Sequence, residues 1–274
     1  MCNTDGIEKN VMPAERYVHK GRITMTFKDI YYTENQTLSR SLDIFLPDNM
    51  TEKIPIMIYF HGGGLEAGDK EEIIPQRFIE NNIGIVSVNY RMYPHNRYPD
   101  FLWDCAASVK WVIDNIGQYA EVSKIYVGGS SAGAYIAMRL CFDVKYFMNY
   151  GIEIQKISGF IFNAGQPTTH FNVLRERGED SRRCIIDDAA PLYHIREYNH
   201  QPPMLIFCAG NDMPNRYEQT LLMIGTLKQM HYPDEHIRFV YLKGHSHCDY
   251  LYNDQLFADI IIDFIYGKAG ADQS

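Results

Sequence analysis

The chain has 274 residues, 46% of them hydrophobic and 22% charged, a balance that fits one large α/β domain or at most two small ones. Its formal charge of −8 excludes the net basic face that a nucleic-acid partner needs, and it disfavours docking on anionic lipid. The start Met1-Cys2-Asn3-Thr4-Asp5-Gly6 is polar and no run approaches the roughly 20 apolar residues of a bilayer span, so no membrane contact is expected. Six cysteines without a C-x-x-C pair form neither a disulfide framework nor a zinc site, and a reduced, cytoplasmic protein is the expectation.

Residues 1–21 read as a loosely attached arm. Residues 23–32 and 41–46 alternate apolar and polar side chains around Thr33-Glu34-Asn35-Gln36, the pattern of an antiparallel hairpin with one wet face. The runs then become nearly continuous in apolar residues, at 54–60, 84–88, 124–128, 157–162, 204–207 and 237–242. Strands buried on both faces of a parallel sheet require that composition. Helical spacing occupies 71–82, 99–118, 132–147, 214–231 and 250–265. The alternation predicts one α/β domain over 22–274, a mainly parallel twisted sheet with helices on both faces and an N-terminal antiparallel hairpin. The connection at about 165–201 is long and carries Arg175-Glu176-Arg177-Gly178-Glu179-Asp180. Such loops usually cover something, so it reads as a partial lid, with a surface excursion around one short helix as the alternative.

Gly129-Ser130-Ser131-Ala132-Gly133 is a G-x-S-x-G pentapeptide set where a strand meets a helix. A sharp turn there strains the backbone and pushes the serine oxygen above the sheet edge, which makes Ser131 the expected nucleophile. Ser130 competes but has Ala132 rather than glycine two positions on. His61-Gly62-Gly63-Gly64 directly follows an apolar strand, and consecutive glycines let amides approach a ligand. The expected oxyanion donors are the amides of Gly63, Gly64 and Ala132, with His61 holding the loop rather than reacting.

Phe60-His61-Gly62-Gly63-Gly64 with Gly68-Asp69-Lys70, Val88-Asn89-Tyr90-Arg91, Tyr98-Pro99 to Asp104, and the serine pentapeptide together resemble the hormone-sensitive-lipase-like branch of the α/β-hydrolases. That branch includes carboxylesterases and acetyl esterases, with kynurenine formamidases as relatives. The resemblance spans about residues 40–266 and implies the α/β-hydrolase fold and the chain order Ser, Asp, His. It also implies that Arg91 and Asp104 brace the fold. Asp212, just past the apolar run 204–208, matches the family's acid position, with a helix cap beside Pro214 as its alternative role. Two histidines, His245 and His247, compete as base. Counting from a strand ending at Leu242 favours His247, while the Gly244-His245 pair favours the other.

The expected activity is serine-dependent hydrolysis of a small-molecule ester through an acyl-enzyme, on short-chain or carbohydrate-linked acetyl-type esters. An arylformamidase-like amide hydrolase is the alternative within enzymes. A non-catalytic ligand-binding protein of the same fold is the rival class, and its sign, a missing triad member, is not found. No metal or organic cofactor is expected: His245, His247 and Asp249 lack the helical H-E-x-x-H setting of a catalytic zinc. Cys248 reads as a packed bystander, and Tyr90, Tyr93 and Tyr98 stand near the expected mouth. Oligomeric state is open, a homodimer being compatible with everything above.

Overall fold

Strand β4 (Ile54–Phe60) is buried along its whole length, and its successive side chains point to opposite faces of the sheet. Ile56, Ile58 and Phe60 join one apolar cluster, while Met57 and Tyr59 join a second on the other face. A strand covered on both sides cannot alternate apolar with polar, which is why the run reads as continuous. In this computed structural model residues 15–19, 22–73, 75–197, 200, 202–253 and 255–268 are described; residues 1–14 and 20–21 of the expected arm lie outside them.

Among the described residues the other strands are β1 (Glu15–His19), β2 (Arg22–Tyr31), β3 (Ser41–Pro47), β5 (Gly84–Val88), β6 (Val122–Ser130), β7 (Gly159–Asn163), β8 (Met204–Asn211) and β9 (Ile237–Ser246). They form one sheet in the order β1-β2-β3-β5-β4-β6-β7-β8-β9. The pairs from β1 to β5 are antiparallel and the rest parallel. The chain runs from β4 to β5 on one side and returns to β6 on the other, so the strand order reverses at β4. Ligands of open α/β sheets bind beyond the carboxyl ends of the strands at such a point.

Helices α1 (Gln76–Glu80) and α8 (Leu256–Ile265) cover one face. On the other lie α2 (Asp100–Asn115), α3 (Ala132–Phe142) and α4 (Lys145–Asn149). Short α5 (Phe171–Glu176), α6 (Arg216–Gln229) and short α7 (Tyr250–Asn253) complete the set of described α-helices. Every residue of α3 is buried, which follows from its place directly behind the sheet's central strands.

Several expectations are corrected. Residues 15–19, expected in the arm, pair with β2 as an edge strand. The helix expected over 71–82 begins only at Gln76, because residues 71–73 form a turn that reaches toward the site. The hairpin's β3 has no wet face: it lies between β2 and β5, and only Phe45 is partly exposed. Its buried Asp43 is neutralised by Lys70 at 2.9 Å, and Lys70 also meets Asp29 at 2.9 Å. These ion pairs tie the Gly68-Asp69-Lys70 turn to the hairpin.

Candidate active site

The turn from β6 into α3 leaves Ser131 with φ 52° and ψ −111°, a left-handed conformation that costs a non-glycine residue of order 1–3 kcal/mol. The strain persists because neighbours fix both sides of the bend. The Ser131 amide donates to Asn163 O at 2.7 Å, and Tyr135 N donates to Ser131 O at 3.0 Å. At Gly133 a Cβ would lie 2.0 Å from Phe60 O, so only glycine lets α3 start this close to β4.

The loop after β9 brings His247 over the bend. Ser131 Oγ lies 2.8 Å from His247 Nε2, and His247 Nδ1 lies 2.6 Å from Asp212 Oδ1. The carboxylate can only accept, so Nδ1 carries the proton and Nε2 is free to take one from the serine. Asp212 follows β8 and also accepts from the Met213 amide at 2.7 Å. Burial alone would raise its carboxyl, but the hydrogen bond and charge of His247, the Met213 amide and Arg216 outweigh it and hold it below its usual value. His245 does not face the serine. It donates through Nδ1 to Asp249 Oδ1 at 3.0 Å on the outer side of the same loop. Burial pushes the Cys248 thiol up, which leaves it protonated and inert.

The glycine loop abuts this chain of bonds: a Cβ on Gly62 would lie 3.5 Å from Ser131 Cβ. Gly63 has φ 95°, and its carbonyl accepts from Glu66 N and Ala67 N at 3.1 and 3.0 Å, a turn that folds the loop back on itself. Gly64 O is held by Asn172 Nδ2 at 2.8 Å. Ala132 is the first residue of α3, where an amide has no acceptor inside the helix. His61 stays in the scaffold: fully buried, it donates Nδ1–H to Gly62 O at 2.8 Å and stacks on Tyr90, whose hydroxyl donates to His61 O. Burial pulls the His61 imidazole down to about 4, so it is neutral. Tyr90 therefore belongs to the frame rather than the mouth.

A second network lies beneath the serine, and the sequence reading did not find it. The Gly62 amide donates to both Glu72 oxygens, at 2.8 and 2.9 Å. Tyr59 Oη lies 2.8 Å from Glu72 Oε1 and 2.7 Å from Ser130 Oγ. With one proton to give, Tyr59 donates to the carboxylate and accepts from Ser130. Ser130 Oγ in turn accepts from Asn163 Nδ2 at 2.8 Å, and Asn163 Oδ1 accepts from Tyr250 Oη. Donation thus runs one way, from Tyr250 to the Glu72 anion. The one available signal was position: Asn163 and Ser130 close adjacent parallel strands beside the elbow.

Arg91 clasps Asp104 through Nε at 2.7 Å and Nη2 at 2.8 Å, the bracing pair the resemblance implies. The segment at 165–201, whose residues 198, 199 and 201 lie outside the described set, is fastened on two sides. Asn172 and Arg175 reach Glu66 of the glycine loop, both at 3.1 Å, while Tyr135 and Arg139 of α3 donate to Ala189 O and Asp188 O, both at 2.6 Å. Tyr98, another of the three tyrosines expected at the mouth, also donates to Asp188 O, at 3.3 Å.

Comparison with known proteins bears on the fold. Residues 42–147 match the BD-FAE family model. The fold superposes on a truncated carbohydrate esterase from gut microbiota with a TM-score of 0.72 at 18% identity, covering 88% of this chain and 95% of that one. The chain has the fold of the α/β-hydrolases. Probable carboxylesterase 1 of Arabidopsis thaliana is 31% identical over 153 residues, 49% of this chain and 47% of the relative. Kynurenine formamidase of Danio rerio is 29% identical over 140 residues, 50% and 46% of the two chains. The chain thus spans less than half of those two relatives. The family match holds the glycine loop and the serine elbow but ends before Asp212 and His247. Among the described residues no three His, Cys, Asp or Glu side chains gather as metal ligands, and no helix is long and apolar enough to cross a membrane.

Proposed function

We propose that the chain is a serine ester hydrolase that works through an acyl-enzyme on Ser131, with short-chain or carbohydrate-linked acetyl-type esters as substrates. The observation that carries the reading is the continuous contact from Ser131 Oγ through His247 to Asp212 on a strained elbow. His247 Nε2 takes the serine proton as the oxygen bonds to the carbonyl carbon, and the carbonyl electrons move onto the oxyanion. Amides of Gly63, Gly64 and Ala132 stabilise that charge; one such donor is worth about 3–4 kcal/mol in the transition state. Collapse breaks the C–O bond to the alcohol, which leaves with the proton from His247. Water then gives a proton to His247 and adds to the acyl carbon, and collapse releases the acid as Ser131 leaves and takes that proton back from His247. Asp212 fixes the imidazole tautomer and offsets the charge of the imidazolium.

The carbohydrate esterase among the structural neighbours and the carboxylesterase relative support an ester as substrate. The kynurenine formamidase relative favours a second reading, in which the same attack opens an arylformamide. The deciding experiment is labelling with a fluorophosphonate followed by mapping, with Ser131 expected to be modified and the S131A variant unlabelled. Rates on acetyl, butyryl and octanoyl esters then set the acyl class, a fall with length being expected. A rise with length overturns the short-chain assignment, and faster turnover of formyl-kynurenine than of any ester replaces the ester reading with the amide one.

A further inference from the structure

A cavity of about 520 Å³ lies between the segment at 165–201 and the loop that follows β8. One wall is Phe171, whose ring comes within 3.2 Å of where a Cβ on Gly64 would sit. Met213, the residue after Asp212, also lines it. Through Phe171 the cavity adjoins Gly64 of the glycine loop, and through Met213 it adjoins Asp212 in the chain.

Its charge is one-sided. Arg175, Arg182, Arg183 and Arg216 line it, and none of its lining residues is acidic, in a chain whose net charge is −8. Three of these arginines are accounted for by acids off the lining: Arg175 pairs with Glu66 at 3.1 Å, Arg182 with Asp180 at 2.6 Å and Arg183 with Glu179 at 3.9 Å. Arg216 is different. It is 4% exposed, its Nη1 donates to Ala164 O, and its Nη2 reaches Gln166 Oε1 at 3.5 Å and Met213 Sδ at 3.7 Å. Its Nε has no acceptor, and among the described residues it has no ion pair. The foremost acid acting on it is Asp212, which is already committed to His247. A buried guanidinium without its own anion costs several kcal/mol, and structures that keep one generally offer it a partner.

We infer that the cavity receives the anionic end of the substrate, a carboxylate carried on one side of the ester, with Arg216 as the buried anchor and Arg182 and Arg183 at the rim. The inference rests on the ester-hydrolase reading and narrows it. A carboxylate supplies the counter-charge that Arg216 lacks, in the planar geometry a guanidinium fork accepts, and in a site where low dielectric strengthens the pair. The arginines at the rim draw the anion in, while Phe171 and Met213 enclose the apolar chain between carboxylate and ester.

The test compares kcat/KM for an ester bearing a carboxylate with that for a neutral ester of the same size. Two pairs cover the two sides of the bond: 4-nitrophenyl hemiglutarate against 4-nitrophenyl valerate for the acyl side, and 3-acetoxybenzoate against 3-acetoxytoluene for the alcohol side. One pair is expected to favour the anion by about tenfold or more, the scale of a charged hydrogen bond. Arg216→Met is expected to bring that ratio close to one. The rim variant carrying Arg182→Glu and Arg183→Glu is expected to lower it as well, and it keeps the test open if the buried substitution prevents folding. The ratio is read within each variant, so general losses cancel. Cleavage of neutral esters with no anion preference in either pair, or a preference that both variants leave intact, overturns this inference and leaves the ester-hydrolase reading standing. Failure to cleave any of the four esters, with no fluorophosphonate label on Ser131, overturns that reading and this inference with it.

Discussion

Both carboxylate oxygens of Glu72 hold the amide of Gly62, at 2.8 and 2.9 Å, so the residue ahead of Gly63 and Gly64 is fixed by a charged clasp. The clasp removes the Gly62 amide from the pool of free donors and sets the direction in which the next two peptides point. On the proposed mechanism Glu72 is a positioning residue that acts through Gly63 and Gly64.

Replacing it tests that role. Glu72→Gln is expected to lower kcat by about tenfold or more with little change in KM, because a displaced oxyanion donor is felt in the transition state and not in the ground state. Burial raises the Glu72 carboxyl above its usual value, against the pull of Tyr59 and Gly62. As pH falls the folded protein therefore protonates Glu72 earlier than an ordinary glutamate, and the clasp loses its charge. The wild type is expected to lose kcat on the acid side through this step and the glutamine variant to lack it. Equal kcat and superimposable pH profiles would remove Glu72 from the machinery.

The contacts of the two neighbouring histidines predict opposite outcomes. His247→Ala is expected to reduce kcat by about four orders of magnitude or more, while His245→Ala, which severs only the pairing with Asp249, keeps most of it. Steady-state rates on a short-chain ester decide. The reverse order would mean that the loop rearranges when substrate binds.

Gly63 admits no side chain. A Cβ there would lie 1.9 Å from Ala67 O, on a backbone already at φ 95°. Gly63→Ala is expected to destabilise the fold by about 1–3 kcal/mol and to depress turnover far more than that stability loss explains. Urea unfolding beside kinetics on the folded fraction separates the two effects, and a variant of wild-type activity would deny Gly63 a part in the oxyanion site.

Stability should decline on mild acidification. Burial lowers the folded-state value of His61 to about 4 from 6.5, so between those values the unfolded chain takes up a proton that the folded chain refuses. Unfolding is favoured as pH falls through that window, by about 3 kcal/mol for His61 at its lower end. Burial shifts His170 in the same direction. Urea midpoints are expected to drop from pH 6.5 to 4, and less steeply in His61→Gln. A flat midpoint across the window would contradict a neutral buried imidazole.

What could be read from the sequence follows local physics. A G-x-S-x-G at a strand-to-helix junction, glycines directly after a buried strand, and apolar runs between helical periods are short-range patterns set by steric limits and burial. They suffice for the sheet's parallel core, the serine elbow and the glycine loop. Local signals stop where partners are distant in sequence. The apolar run of β9 fades at Leu242, yet pairing of Asn211 with Ser246 carries the strand to the edge of His247. Asp212 lies 35 residues from His247, and His247 lies 116 from Ser131. The start of α1 at Gln76, which frees Glu72 to reach Gly62, leaves no periodicity to detect. The Tyr250–Asn163–Ser130–Tyr59–Glu72 relay and the isolation of Arg216 exist only once separate strands and loops meet. Hydrogen bonds and uncompensated charge depend on three-dimensional distance, and that distance is fixed by packing, not by position along the chain.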